Sequence, residues 1–131
     1  QVTHERGIFV HPSWTNSTIY FDQGGCCNAD QRTQHTFSAT DFSNWRVWTI
    51  MRNGNDRRIY MNGVMYAKNT NAAASIELDN PQLFIGGDED YSSATSSNWN
   101  AKLALFMVHN RGLKSAEIYQ NYFMLKDRFG L

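Results

Sequence analysis

Two Asn-Gly dipeptides nine residues apart, Asn53-Gly54 and Asn62-Gly63, constrain the fold of this chain more than any other feature. Apolar-rich runs flank both: 46–52 and 57–62 around the first, 58–61 and 64–68 around the second. Both central residues of a type I′ turn need positive φ, which Asn and Gly tolerate. Asn-Gly between such runs is therefore the strongest short-range hairpin signal. Two in succession predict an antiparallel meander, and with it an all-β class.

The rest of the chain reads in the same key. Residues 6–11 and 18–23 have strand character, with Pro12-Ser13-Trp14-Thr15-Asn16 turning between them. In the second run Ile19 and Phe21 point one way, and Thr18, Tyr20 and Asp22 the other. Residues 31–38 are polar and suit an edge strand, and 41–44 a loop. Run 46–52 carries apolar groups on both faces, Val47 and Met51 against Trp48 and Ile50. Run 101–109 does the same, with Leu103, Leu105 and Met107 opposite Ala104, Phe106 and Val108. Strands of this kind are covered on both sides. Trp45 and Trp48 are expected in the core. Residues 75–78 and 82–86 read as short strands around Asp79-Asn80-Pro81, and the Ser-, Asn- and Asp-rich stretch 88–100 as a long surface loop. Only 116–128 has helical period: Ile118, Tyr122, Leu125 and Phe129 are spaced 4, 3 and 4, and Gly130 follows as a stop. About nine short strands and one short C-terminal helix make an all-β sandwich.

The bulk numbers narrow the function. The 131 residues, 41% hydrophobic, suit one domain with one substantial core. The 12 basic and 12 acidic side chains cancel, and no basic run exists, so nothing argues for nucleic acid or an anionic membrane as partner. The longest apolar run, 103–108, is far too short to span a bilayer. A chain that opens on Gln1 reads as processed or as one domain of something longer. The adjacent Cys26 and Cys27 sit roughly 3.8 Å apart at Cα, closer than the roughly 4.4–6.8 Å that disulfides favour. They are expected to be reduced residues near a turn.

The motifs, taken in order, resemble a known family. Trp45-x-x-Trp48-Thr49-Ile50-x-Arg52-Asn53-Gly54, then Arg58-Ile59-Tyr60-Met61-Asn62-Gly63, then Phe84-Ile85-Gly86-Gly87-Asp88, resemble the core of the laminin-G-like, concanavalin A-like jelly rolls. Thr18-Ile19-Tyr20-Phe21-Asp22 with Gly24-Gly25-Cys26-Cys27 fits the same pattern. Val108-His109-Asn110-Arg111-Gly112-Leu113 followed by Ala116-Glu117-Ile118 is similar to that family's closing "YNRALS-x-x-EI" run. The tail, Gln120-Asn121-Tyr122 through Lys126-Asp127-Arg128-Phe129-Gly130-Leu131, resembles the "QNYNA-x-KGRFGL" ending of such domains in tailed-phage and other virus structural proteins. The resemblance implies a single jelly-roll domain over 1–131 that lacks some N-terminal strands of the family. Its setting would be a virion surface, as a head decoration or fibre domain, beside other virion proteins or copies of itself. One departure concerns the helix start: the family places Ser before x-x-Glu, and here Lys114 stands there, so Ser115 is expected to cap instead.

Chemistry is sparse. Glycosidases need two carboxylates across a sugar, and the related glucanases carry Glu-x-Asp-x-x-Glu on one strand. No such run exists, and Asp88-Glu89-Asp90 lacks the third acid. His4, His11, His35 and His109 have no zinc spacing. The domain is therefore read as non-catalytic. A glycan platform needs loop aromatics with amides or hydroxyls beside them, which singles out Trp14, Tyr91, Asn98 and Trp99 as ligand-binding candidates for surface glycans. The family resemblance adds calcium as the one candidate cofactor, with Asp22, Asp88 and Asp90 as candidate ligands among its 6–8 oxygens. The alternative to the virion reading is a secreted, extracellular lectin-like module, calcium-dependent in its binding.

Overall fold

The computed structural model describes residues 7–13, 16–24, 28–73, 76, 83, 85–86 and 100–131. Two three-stranded antiparallel sheets form in chain order. The first is β1 (Ile8–His11), β2 (Thr18–Gln23) and β3 (Arg32–Thr36). A one-turn helix, α1 (Ala39–Phe42), leads to the second sheet: β4 (Trp48–Asn53), β5 (Asp56–Met61) and β6 (Val64–Asn69). Helix α2 (Ser115–Phe129) closes the chain.

The second Asn-Gly turn forms as expected. Met61 pairs with Val64, and Asn62 and Gly63 both take positive φ, 50° and 79°. Asn62 also extends the ladder, its Oδ1 accepting from the Val47 N–H at 3.0 Å. The first turn is displaced by one residue. Asn53 pairs with Asp56, so Gly54-Asn55 are central, and only Gly54 has positive φ, the pattern of a type II′ turn. The displacement has a packing reason. The observed register sets Ile50 opposite Ile59 and Trp48 opposite Met61. A turn centred on Asn53-Gly54 would set Ile50 opposite Arg57, and apolar cross-strand pairs decide register where a face is buried.

The faces sort by parity. Ile19, Phe21 and Phe37 of the first sheet and its flank meet Ile59 and Met61 of β5, with Trp48 and Ile50 packed against them. The opposite face of the second sheet contributes Met51 and Tyr60, which Ile118 of α2 covers. The order is sheet, sheet, helix, and β4 is covered on both sides as its pattern requires. One end of the inter-sheet core is aromatic. Phe42 stacks on Trp48 at 5.5 Å, and Phe37 meets Trp48 edge-on at 4.9 Å. Helix α1 holds Phe42 there and replaces the expected loop at 41–44. It is too short to show periodicity, but Ser38 and Asp41 form a capping box around it.

Helix α2 shows the expected face: Ile118 is buried and Tyr122, Leu125 and Phe129 are half-buried. It ends where Gly130 turns left-handed at φ 66°. Its start corrects the expectation about Ser115. Lys114 is the N-cap and makes no side-chain cap bond, since an ammonium has no acceptor. Glu117 supplies the reciprocal half of the box, accepting from the Lys114 N–H at 2.8 Å, and Ser115 pairs its hydroxyl with Tyr60 at 3.1 Å. Arg111 grips the same carboxylate with two bonds, at 2.6 and 2.9 Å. Gly112 allows the close approach between this junction and β4. A Cβ there would lie 2.9 Å from Asn53 Cβ and 3.0 Å from the Arg52 carbonyl.

Two further expectations are corrected. Residues 101–109 form no strand, and the apolar side chains along them are exposed: Leu103 49%, Phe106 48% and Val108 72%. Trp45 is exposed too: it lies before β4 and before Val47, which Asn62 ties to the ladder. Of the short strands expected at 75–78 and 82–86, only Ile76, Leu83, Ile85 and Gly86 are described, and none lies in a strand. The loop expected at 88–100 and the Cys26-Cys27 pair lie outside the described residues, Asn100 excepted. No described helix is long and apolar enough to cross a membrane.

Candidate functional site

A cleft of about 390 Å³ opens between β3 of one sheet and β6 of the other, lined by residues 32–34 and 67–71. Its walls are long-range. The turn before β3 is shaped by Asn28, whose Oδ1 accepts from the Gln31 N–H at 3.1 Å. The chain leaving β6 is bolted to that turn by amides. Asn69 Nδ2 donates to the carbonyls of Ala29 and Arg32 at 2.7 and 2.8 Å, its Oδ1 takes the Asn71 N–H at 2.8 Å, and Asn71 Nδ2 donates to Asp30 Oδ1 at 3.1 Å. Behind the wall lies Arg57, fully buried. Its Nη2 donates to the carbonyls of Asp30 and Asn71, while Nε and Nη1 have no partner. Burial, then the facing Arg52, lowers its hold on its proton. Sequence parity could have located it, because Arg57 shares the inward face of β5 with Ile59 and Met61.

On the outer face of the first sheet, Arg32 bridges the cleft to β2. Its Nε and Nη2 each donate to one oxygen of Asp22 at 2.7 Å, and its guanidinium lies 4.2 Å above the Tyr20 ring. The bonds to Asp22 raise the Arg32 pKa further. Asp22 is itself buried, and both its oxygens carry charge-assisted bonds. The residue therefore does not fit as a ready cation ligand: a calcium ion at Asp22 would have to displace a bidentate guanidinium. Among the described residues no group of three or more His, Cys, Asp or Glu side chains comes together as a metal site. Asp88 and Asp90, and the glycan candidates Trp14, Tyr91, Asn98 and Trp99, lie outside the described residues.

What the cleft offers a ligand is polar and without acid. None of the lining residues is Asp or Glu. The Gln34 amide and the Thr70 hydroxyl make no bond within the protein, and Lys68 reaches Asp56 only at 4.0 Å. No pattern in the sequence singles these residues out as a site. The meaning of the Asn69-Thr70-Asn71 run depends on a partner turn forty residues away.

A family model described as the concanavalin A-like lectin/glucanases superfamily, of the laminin G type, matches residues 3–119. The chain belongs to that superfamily. In this laminin G-like domain the two three-stranded sheets are the sandwich, and α2 is its closing helix. Domains of this type are often carbohydrate-binding. Among solved structures, the domain is similar to the 2.1 Å crystal structure of an S-layer domain-containing protein, residues 221–444, from Clostridium thermocellum ATCC 27405. The TM-score is 0.52 at 16% sequence identity, a likeness of fold. The match covers 92% of this chain and 58% of that one, so the domain spans little more than half of its neighbour's length. No curated protein matches the domain.

Proposed function

We propose that the domain is a non-catalytic surface module that takes a neutral, hydroxylated ligand, a glycan, in the β3–β6 cleft. The observation that carries this reading is the lining: uncommitted amide and hydroxyl groups at Gln34 and Thr70 with no carboxylate among the lining residues. Sugar hydroxyls pair with such groups, whereas glycoside hydrolysis needs two acids. The loop aromatics Trp14, Tyr91 and Trp99, with Asn98, would extend the platform, and Asp88 and Asp90 remain the proposed calcium ligands. The setting we favour is a virion surface, on the resemblance of residues 120–131 to the endings of virus structural proteins. A secreted, extracellular module is the second reading, and the fold likeness to an S-layer domain-containing protein accords with either.

A glycan array read with the wild type, Gln34→Ala, Thr70→Ala and Trp99→Ala tests this. Binding that drops tenfold or more in the two cleft variants supports the cleft. Binding lost only in Trp99→Ala, or only with chelator, moves recognition to the loops. A domain that binds no glycan yet is present stoichiometrically on particles is structural alone.

A further inference from the structure

The ladder of the second sheet slips once. Ile59 pairs with Ala67 and Tyr60 with Met65, so Tyr66 is an extra residue that the pairing skips. An extra residue of this kind re-aims a side chain, and bulges are frequent beside functional sites for that reason. Here the re-aimed side chain meets β3 and its flank. The Tyr66 ring lies 5.2 Å from the His35 ring and 4.9 Å from that of Phe37, tilted to them by 61° and 55°. Two neighbouring rings fix its orientation, yet Tyr66 keeps 40% of its surface in solvent, against 7% for Phe37. Its place gives that exposed ring a use. Ala67 follows Tyr66 in β6 and Gln34 precedes His35 in β3, and both Ala67 and Gln34 line the cleft. The gap between the two strands therefore runs from the amide clasp at Asn69, along the cleft, to Tyr66.

We propose that Tyr66 is a stacking platform at the end of the β3–β6 cleft, and that the ligand is a pyranoside with one sugar ring lying on it. The inference rests on the glycan reading of the cleft and adds to it a residue and a ring form. Amide and hydroxyl groups such as those of Gln34 and Thr70 serve the hydroxyls of a sugar. They do nothing for the C–H face that a pyranose ring also carries. The hydrogens of that face are slightly positive, and the face of an aromatic ring is negative, so the two attract. Stacking also removes both apolar surfaces from water. A ring whose orientation is already set by His35 and Phe37 loses little freedom on binding. The next unit of the glycan would then extend along the gap toward Gln34 and Thr70.

The glycan array tests it when read with Tyr66→Phe, Tyr66→Leu and Tyr66→Ala, each checked for folding by its melting curve. Tyr66→Phe keeps the aromatic face and should bind as the wild type does. Tyr66→Leu keeps apolar bulk without that face, and with Tyr66→Ala should lose binding by about fivefold or more. A Leu variant that binds as well as the Phe variant overturns the proposal, because bulk alone would then suffice. If all three bind like the wild type while Gln34→Ala and Thr70→Ala do not, the platform falls and the cleft reading stands. A wild type that binds no glycan on the array overturns both. One measurement needs no destabilising variant. Saturating the aromatic protons of the wild type and of Tyr66→Phe should transfer signal to the C–H protons of the strongest array glycan. An absence of transfer overturns the proposal even if the Leu and Ala variants fail to fold.

Discussion

Residues 48–53 and residues 103–108 carry the same pattern, apolar groups at both parities of a short run, and meet opposite fates. In β4, Trp48 and Ile50 face the first sheet while Met51 lies under Ile118 of α2. In 103–108 neither parity is covered. The difference teaches that a two-sided apolar pattern states a need for cover and says nothing of its source. β4 is covered by elements that local signals build: a hairpin partner one turn away and a periodic helix. The other run finds no such cover among the described residues.

Four measurements break or sharpen that contrast. The largest effect is expected at Ile59, fully buried between the sheets. Ile59→Ala should remove about 2–5 kcal/mol of stability by denaturant titration. A loss below about 1 kcal/mol would mean that the two sheets do not share one packed core. Gly112→Ala tests the close approach where the chain leaving 103–108 passes β4. Its Cβ would press on Asn53 and on the Arg52 carbonyl, and overpacking of this kind costs about 1–3 kcal/mol. Phe106→Ala should change the stability of the dilute chain by no more than about 0.5 kcal/mol, as at an exposed site. A loss like that at Ile59 would show 103–108 to be covered within the single chain.

The smallest effect concerns the ion pair where the uncovered run passes into α2. Two hydrogen bonds from Arg111, then the Lys114 N–H, hold the Glu117 carboxyl down at about 2. A carboxyl depressed in the folded state contributes stability in full above its unfolded value, about 4.3, and loses it as pH falls through the folded value. Between those two values the wild type should lose melting temperature faster than Glu117→Gln, by a small margin because the pair is exposed. Parallel melting curves would show that the pair does not stabilise the helix start.

Local signals made much of the fold legible. β2 falls where its alternation puts it, the Asn62-Gly63 turn where its φ requirement puts it, and α2 where Ile118, Tyr122, Leu125 and Phe129 recur. The slip at Asn53 was legible only in part, because Ile50 and Ile59 outrank the turn residues and lie on different strands. The cleft was hardly legible at all. Asn69, Asn71 and Gln34 are ordinary polar residues until two sheet edges bring them together. The site residues chosen from composition, Trp14, Tyr91, Asn98 and Trp99, lie outside the described residues. Asp22 looked available because its partner, Arg32, sits ten residues away across a strand pair.

The amide clasp at Asn69 also fixes an order of events in folding. Each sheet is a meander of neighbouring strands and can form from hairpins alone, on the microsecond scale of such elements. The bonds joining the sheets reach from Asn69 to Ala29 and from Asn71 to Asp30, across 40 and 41 residues. Contacts of that separation form late because loop closure must precede them. Until they form, Ile19 and Phe21 on one meander and Ile59 and Met61 on the other face water. The expected late step for this chain is therefore the docking of its two meanders, which a folding rate slowed by Asn69→Ala would reveal.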